Sequence, residues 1–174
     1  MSEVGSVDGA PPPSIEVYYQ SLHAKCSEIL AQSFAFDSAG QHQISHNFIS
    51  DLETWVTVLQ RRPEAEILKA SLREYQFALL SLVHGQYRHA FMALRLFLEL
   101  GLGTVYLSAN ELQLRVWLRG QRDLYWQPLI NNEDGVFSKV FVRAFFEGLE
   151  DEGASYRGIG EGLYRECSEY VHGN

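Results

Sequence analysis

The sequence predicts an all-α fold, a bundle of four long helices plus shorter ones. Two observations carry that prediction. Apolar residues recur at spacings of three and four in one segment after another, the period of a helix that buries one face. No segment shows the alternation of a half-buried strand, and most turn-forming residues fall between the periodic segments. A third observation sets the scale: 174 residues and 19.8 kDa, 46% apolar and 13% aromatic, fit one domain with a real core.

In chain order, residues 1–13 read as a flexible leader stiffened by Pro11, Pro12 and Pro13, and a single helical domain is expected over 14–174. Ser14 is an N-cap for a helix over 15–36, with Ile15, Tyr18, Tyr19, Leu22, Cys26, Ile29, Leu30 and Phe34 on its stripe. Asp37-Ser38-Ala39-Gly40 breaks the pattern. Ser45 or Asn47 is expected to cap a second helix running to about residue 60. Pro63 suits the first turn of a third helix, over 64–84, where its missing N–H costs nothing, and Gly85 suits its C-cap. The fourth, over 86–107, is apolar nearly all round and belongs at the centre of the bundle. Asn110 heads a short helix to Arg119, residues 121–135 read as irregular, and a helix is expected over 136–149. Glu150-Asp151-Glu152 reads as a solvated connector, followed by a last helix over 155–172 that Gly173 ends. Gly158, Gly160 and Gly162 weaken its first half, at roughly 1 kcal/mol each against Ala.

Charge narrows the function classes. The net charge of −8 and pI near 5.2 argue against a general nucleic-acid coat, whose affinity needs many cations facing phosphates. Residues 1–60 carry net −6 and residues 126–174 net −5, whereas residues 61–125 carry net +3. That basic third offers Arg61, Arg62, Arg88, Arg115, Arg119 and Arg122 as a local anion surface, against the simpler alternative of a solvated helix face. Arg, Glu or Gln interrupts the apolar runs well short of ~20 residues, so no membrane span is expected. The acidic N-terminus lacks the apolar core of a secretory signal. Cys26 and Cys167, far apart and without CxxC spacing, read as reduced thiols of a cytoplasmic protein.

Several chemistries fail on spacing. Gly101-Leu102-Gly103 and Gly158-Ile159-Gly160 lack the preceding strand that a nucleotide-phosphate loop requires. His42 and His46 are four apart but read as a loop entering a helix, without the further ligands a zinc site needs. There is no GxSxG elbow and no local signature around either cysteine.

Two constellations survive. Arg95 and Glu99, at i and i+4 in the most apolar helix, share one face and are expected to pair, as a structural ion pair or as support for a nearby site. Arg165 and His172, seven apart on the last helix, lie at nearly the same azimuth about 10 Å apart along the axis. A guanidinium that grips phosphate and an imidazole that moves a proton suffice, in principle, to cleave RNA through its own 2′-hydroxyl without metal. With eleven arginines and six histidines about one such pair arises by chance, so the spacing alone decides nothing. His172 before Gly173 is also an ordinary helix stop, and Arg165 can pair with Glu169 at i+4.

The stretch Leu163-Tyr164-Arg165-Glu166-Cys167-Ser168-Glu169-Tyr170-Val171-His172-Gly173 resembles the terminal helix of the HEPN superfamily, which carries Arg, four to six residues, then His. The chain is also similar to uncharacterised bacterial HEPN-like proteins whose central helix carries an Arg and a Glu four apart, as Arg95 and Glu99 are. The motif covers about ten residues, and helix order extends the likeness loosely from residue 15 onward. The resemblance implies a homodimeric bundle in which two Arg/His motifs form one RNA-cleaving cleft, without cofactor or metal. It implies Arg165 as anion clamp and His172 as proton-transfer residue. Arg95, Glu99 and Glu169 would be supporting residues, and Tyr164 and Tyr170 stacking surfaces. Such proteins often act in phage defence and toxin–antitoxin systems. The chain departs from the pattern at Glu166, where many active members have Asn, Asp or His and where an acid opposes a phosphate. The competing expectation is a non-catalytic HEPN-like sensor or adaptor that binds a protein partner or nucleotide, with its effector outside this chain.

Overall fold

The structure, a computed structural model, describes residues 14–36 and 40–173. The leader and the break at 37–39 lie outside them. The described residues form eight helices and no strand: α1 (Ile15–Ala35), α2 (Gln41–Val58), α3 (Ala65–Val83), α4 (Tyr87–Ala109), α5 (Glu111–Leu118), α6 (Trp126–Leu129), α7 (Lys139–Phe145) and α8 (Gly153–His172). The all-α bundle is therefore observed, with five long helices rather than four.

The frame is the antiparallel hairpin of α3 and α4, turned through His84-Gly85-Gln86. Buried Ser71 donates its hydroxyl to the Phe97 carbonyl at 3.1 Å, tying the two helices at mid-length. On one flank α2 packs on α3, where Phe48, Tyr75 and Phe97 form an aromatic cluster with centroids 5.0–6.2 Å apart. On the other flank α8 runs antiparallel to α4. A cluster of buried core residues lies at the far end of the hairpin, where Ile67, Tyr106, Leu107, Leu114, Leu129, Val136 and Phe141 are buried together. Helix α1 is peripheral. Ser14 caps it, its Oγ accepting from the Val17 amide at 3.3 Å, but none of its residues is fully buried.

Three boundaries differ from expectation for identifiable reasons. Helix α2 begins at Gln41, because Gly40 in the left-handed conformation (φ +64°) turns the chain directly into it. Ser45 and Asn47 therefore sit inside the helix rather than capping it, and Asn47 accepts from the Gln43 side chain at 2.8 Å. His42 and His46 are likewise helical, not in a loop. The helix expected over 136–149 is only Lys139–Phe145. Buried Val136 serves a tight loop, its amide bonded to the Leu129 carbonyl at 2.9 Å, and Ser138 caps α7. The region 121–135 is not wholly irregular, since Trp126 and Leu129 are buried on the single turn α6.

By length and composition α4 is apolar enough to cross a bilayer, with a mean hydropathy of 1.5 over its most apolar stretch. In the fold it occupies the centre, touching α3, α5, α6 and α8.

Two glycines separate tolerated from required. In α8 a Cβ at Gly158 meets nothing within 4 Å, whereas at Gly135 it would lie 2.5 Å from the Asn131 amide nitrogen and 2.8 Å from the Leu129 carbonyl oxygen. Gly158→Ala is therefore expected to stabilise the chain by about 0.5–1 kcal/mol. Gly135→Ala is expected to destabilise it by at least about 1–3 kcal/mol, because backbone cannot yield as a side chain does. Urea unfolding of the two variants checks both signs.

Candidate functional site

The seam between α4 and α8 holds four of the residues that the sequence singles out, Arg95, Glu99, Tyr164 and Tyr170. Going toward the C-terminus of α8, Tyr164 meets Arg95 and Glu99, Tyr170 meets Phe91, and Val171 meets Arg88. The helical repeat explains the register. Residues 164, 167 and 171 recur at three and four, and this stripe of α8, with Cys167 1% exposed, is laid on α4.

Arg95, Glu99 and Tyr164 form one network. The Tyr164 hydroxyl donates to Glu99 Oε1 at 2.6 Å and accepts from Arg95 Nη2 at 2.6 Å, while Arg95 Nε lies 3.4 Å from Glu99 Oε1. Trp126 stacks on the Tyr164 ring with centroids 4.0 Å apart and planes 5° apart. The Arg95 guanidinium carbon lies over the same ring, 4.7 Å from its centroid. Tyr164, expected as a stacking surface for a base, is thus already engaged by Trp126 and Arg95. Tyr170 is stacked on Phe91, centroids 4.1 Å apart and planes 3° apart, yet stays largely exposed.

Burial raises the Tyr164 phenol above its usual range. The hydrogen bond and negative charge of Glu99 add to the effect and Arg95 opposes it, leaving the pKa at about 12. Burial, with the Glu166 charge, also raises the Cys167 thiol, which favours the protonated form over the thiolate a nucleophile needs.

Arg165 and His172 sit elsewhere on α8. Both are exposed, on the side turned from Cys167. Arg165 Nε lies 4.0 Å from Glu169 Oε1, with the two side chains 74% and 57% exposed. An exposed pair at that distance holds the guanidinium loosely. His172 is the last residue of α8, and Gly173 (φ +78°) ends the helix with its amide bonded to the Glu169 carbonyl. The structure therefore brings Arg95, Glu99 and Tyr164 together in the seam and leaves Arg165, Glu169 and His172 on the outer face.

Among the arginines of the basic third, Arg62 lies 2.5 Å from buried Glu64, in ion contact without hydrogen-bond geometry, and Arg115 lies 2.5 Å from Glu111. Arg88 reaches across to α8, its Nη2 2.6 Å from the Val171 carbonyl oxygen. His42 and His46 share one helical face and line a groove with Phe34, Ile49, Leu80 and Val83. The His42 ring lies 5.0 Å from that of Phe34. Among the described residues no group of three or more His, Cys, Asp or Glu is gathered as metal ligands would be. Trp126 is the site residue that sequence reasoning missed. It lies outside every periodic segment, and a tryptophan near Pro128 was its only signal.

Comparison with protein-family models, with curated proteins and with solved structures found no match to this chain.

Replacing Tyr164 by Phe removes the hydroxyl that joins Arg95 to Glu99, and is expected to cost about 1–3 kcal/mol in urea unfolding. The folded chain holds the Tyr164 proton more tightly than the unfolded chain, whose phenol titrates near 10. That contribution is complete below about pH 10 and is lost as pH rises through about 12. Ultraviolet titration of wild type and Tyr164→Phe is expected to differ by one phenol at the alkaline end.

Proposed function

We propose that this chain is a HEPN-like, metal-independent endoribonuclease that acts as a cytoplasmic homodimer in bacterial phage defence or a toxin–antitoxin system. One observation carries the proposal. Arg165 and His172 stand two turns apart on the same exposed side of α8, with Arg165 held only by a loose ion pair. An RNA backbone laid along that side reaches both. The guanidinium would hold the non-bridging oxygens and offset the charge that grows on phosphorus in the transition state. The 2′-oxygen attacks phosphorus as the bond to the 5′-oxygen breaks, which leaves a cyclic phosphate. His172 takes the proton from the 2′-hydroxyl or gives one to the leaving oxygen, and a second copy of the motif would supply the complementary role. In this proposal Arg95, Glu99 and Tyr164 act at a distance, by fixing α8 against α4.

A second reading is a non-catalytic HEPN-like adaptor that binds a protein partner. It is favoured by large apolar side chains left open on α1 and α2, among them Ile15 at 75%, Tyr19 at 60% and Trp55 at 58% exposed.

The two separate in one assay. Mixed RNA is incubated with the chain and a chelator, beside an Arg165→Ala/His172→Ala double variant. The endoribonuclease requires cleavage by wild type that falls at least about 100-fold in the variant. Equal cleavage by both would remove the enzyme and leave the adaptor.

A further inference from the structure

The C-terminal end of α8 is a poor place to receive a phosphate. The aligned peptide dipoles put partial negative charge there, and Glu166 and Glu169 add two carboxylates within the last two turns. A phosphate beside His172 is therefore held better where a cation offsets that negative field. Arg88 supplies the offset. It stands in the first turn of α4, yet its Nη2 donates to the Val171 carbonyl, the peptide group directly before His172. The Phe91–Tyr170 stack fixes the same crossing one turn along α4. Arg88 is exposed, and its contact with Val171 uses one of the five N–H donors that a guanidinium carries.

We infer that Arg88 is a further phosphate-binding residue, a second guanidinium that holds the RNA backbone at the His172 end of α8 and cancels the helix-end charge there. This inference rests on the ribonuclease reading and adds to it a residue from a different helix. In the basic third, Arg62 and Arg115 are held by carboxylates of their own neighbourhood, whereas Arg88 is brought to the Arg/His helix.

The test uses a single-stranded RNA oligonucleotide made uncleavable by 2′-O-methyl substitution at every position, its affinity measured across a range of salt. Arg88→Gln removes the charge but keeps a polar side chain at the start of α4, and Arg88→Lys keeps the charge. Amide exchange at Glu169–His172 reports whether the last turn stays closed. Arg88→Gln is expected to leave that exchange unchanged, weaken binding about tenfold, and flatten the salt dependence by about 0.7, the increment for one phosphate contact on a single strand. Arg88→Lys is expected to restore most of both. If Arg165→Ala weakens binding and Arg88→Gln does not, Arg88 is outside the site and the ribonuclease reading survives. If the wild-type chain does not bind the oligonucleotide, this assignment falls, and failure to cleave natural RNA as well removes the ribonuclease reading. Loss of affinity in Arg88→Gln with faster exchange of the last turn and no change in salt dependence reduces Arg88 to a structural tie.

Discussion

The Tyr164 hydroxyl, held between Arg95 and Glu99, is the interaction on which the α4–α8 seam depends. Helix α4 is the most apolar stretch of the chain, and at mid-length it carries two charged groups on its α8 side, Arg95 and Glu99. Neither charge can sit there alone, because removing an ion from water costs several kcal/mol unless partners replace the water. The phenol is suited to the task, since one oxygen both donates and accepts and so joins the cation to the anion. Helix α8 needs such a tie. It is polar on average and interrupted by glycines, and of its residues only Gly153 and Cys167 are fully buried. Apolar area alone gives it little hold on α4, so the polar network and the flanking Trp126 and Phe91 stacks set its position.

Much of this was legible in the sequence. Helix order, the central place of α4, the Ser14 cap, the Gly173 stop and the pairing of Arg95 with Glu99 all come from local rules. Those rules depend on a few neighbouring residues, so one chain suffices to read them. Failures came where the determinant was distant or where two rules competed. Ser45 and Asn47 look like caps, but a left-handed Gly40 starts the helix earlier and their side chains lie within it. Val136 looks helical because it is apolar, but it is apolar for the core. Trp126 could not be placed, because its partner Tyr164 lies 38 residues away and no spacing rule spans that gap.

The candidate site shows the same division. The sequence puts Arg165 and His172 on one face of a helix, since that is a matter of helical repeat alone. It does not say whether their face or that of Tyr164 meets α4, and the structure puts the Tyr164 face there. The consequence for chemistry is a division of labour within one helix: one stripe anchors, and the opposite stripe is open. Helix α8 is acidic, and the basic third of the chain contributes Arg88, the α4 arginine that reaches it.

The two thiols differ in kind, and that difference gives a handle on the seam. Cys26 lies partly open on a peripheral helix, whereas Cys167 is sealed against α4. An alkylating reagent added to the native chain will mark the first and spare the second until the helices part. The rate at which the second thiol becomes labelled is thus a clock for the parting of α8 from the bundle, read by mass without any engineered probe.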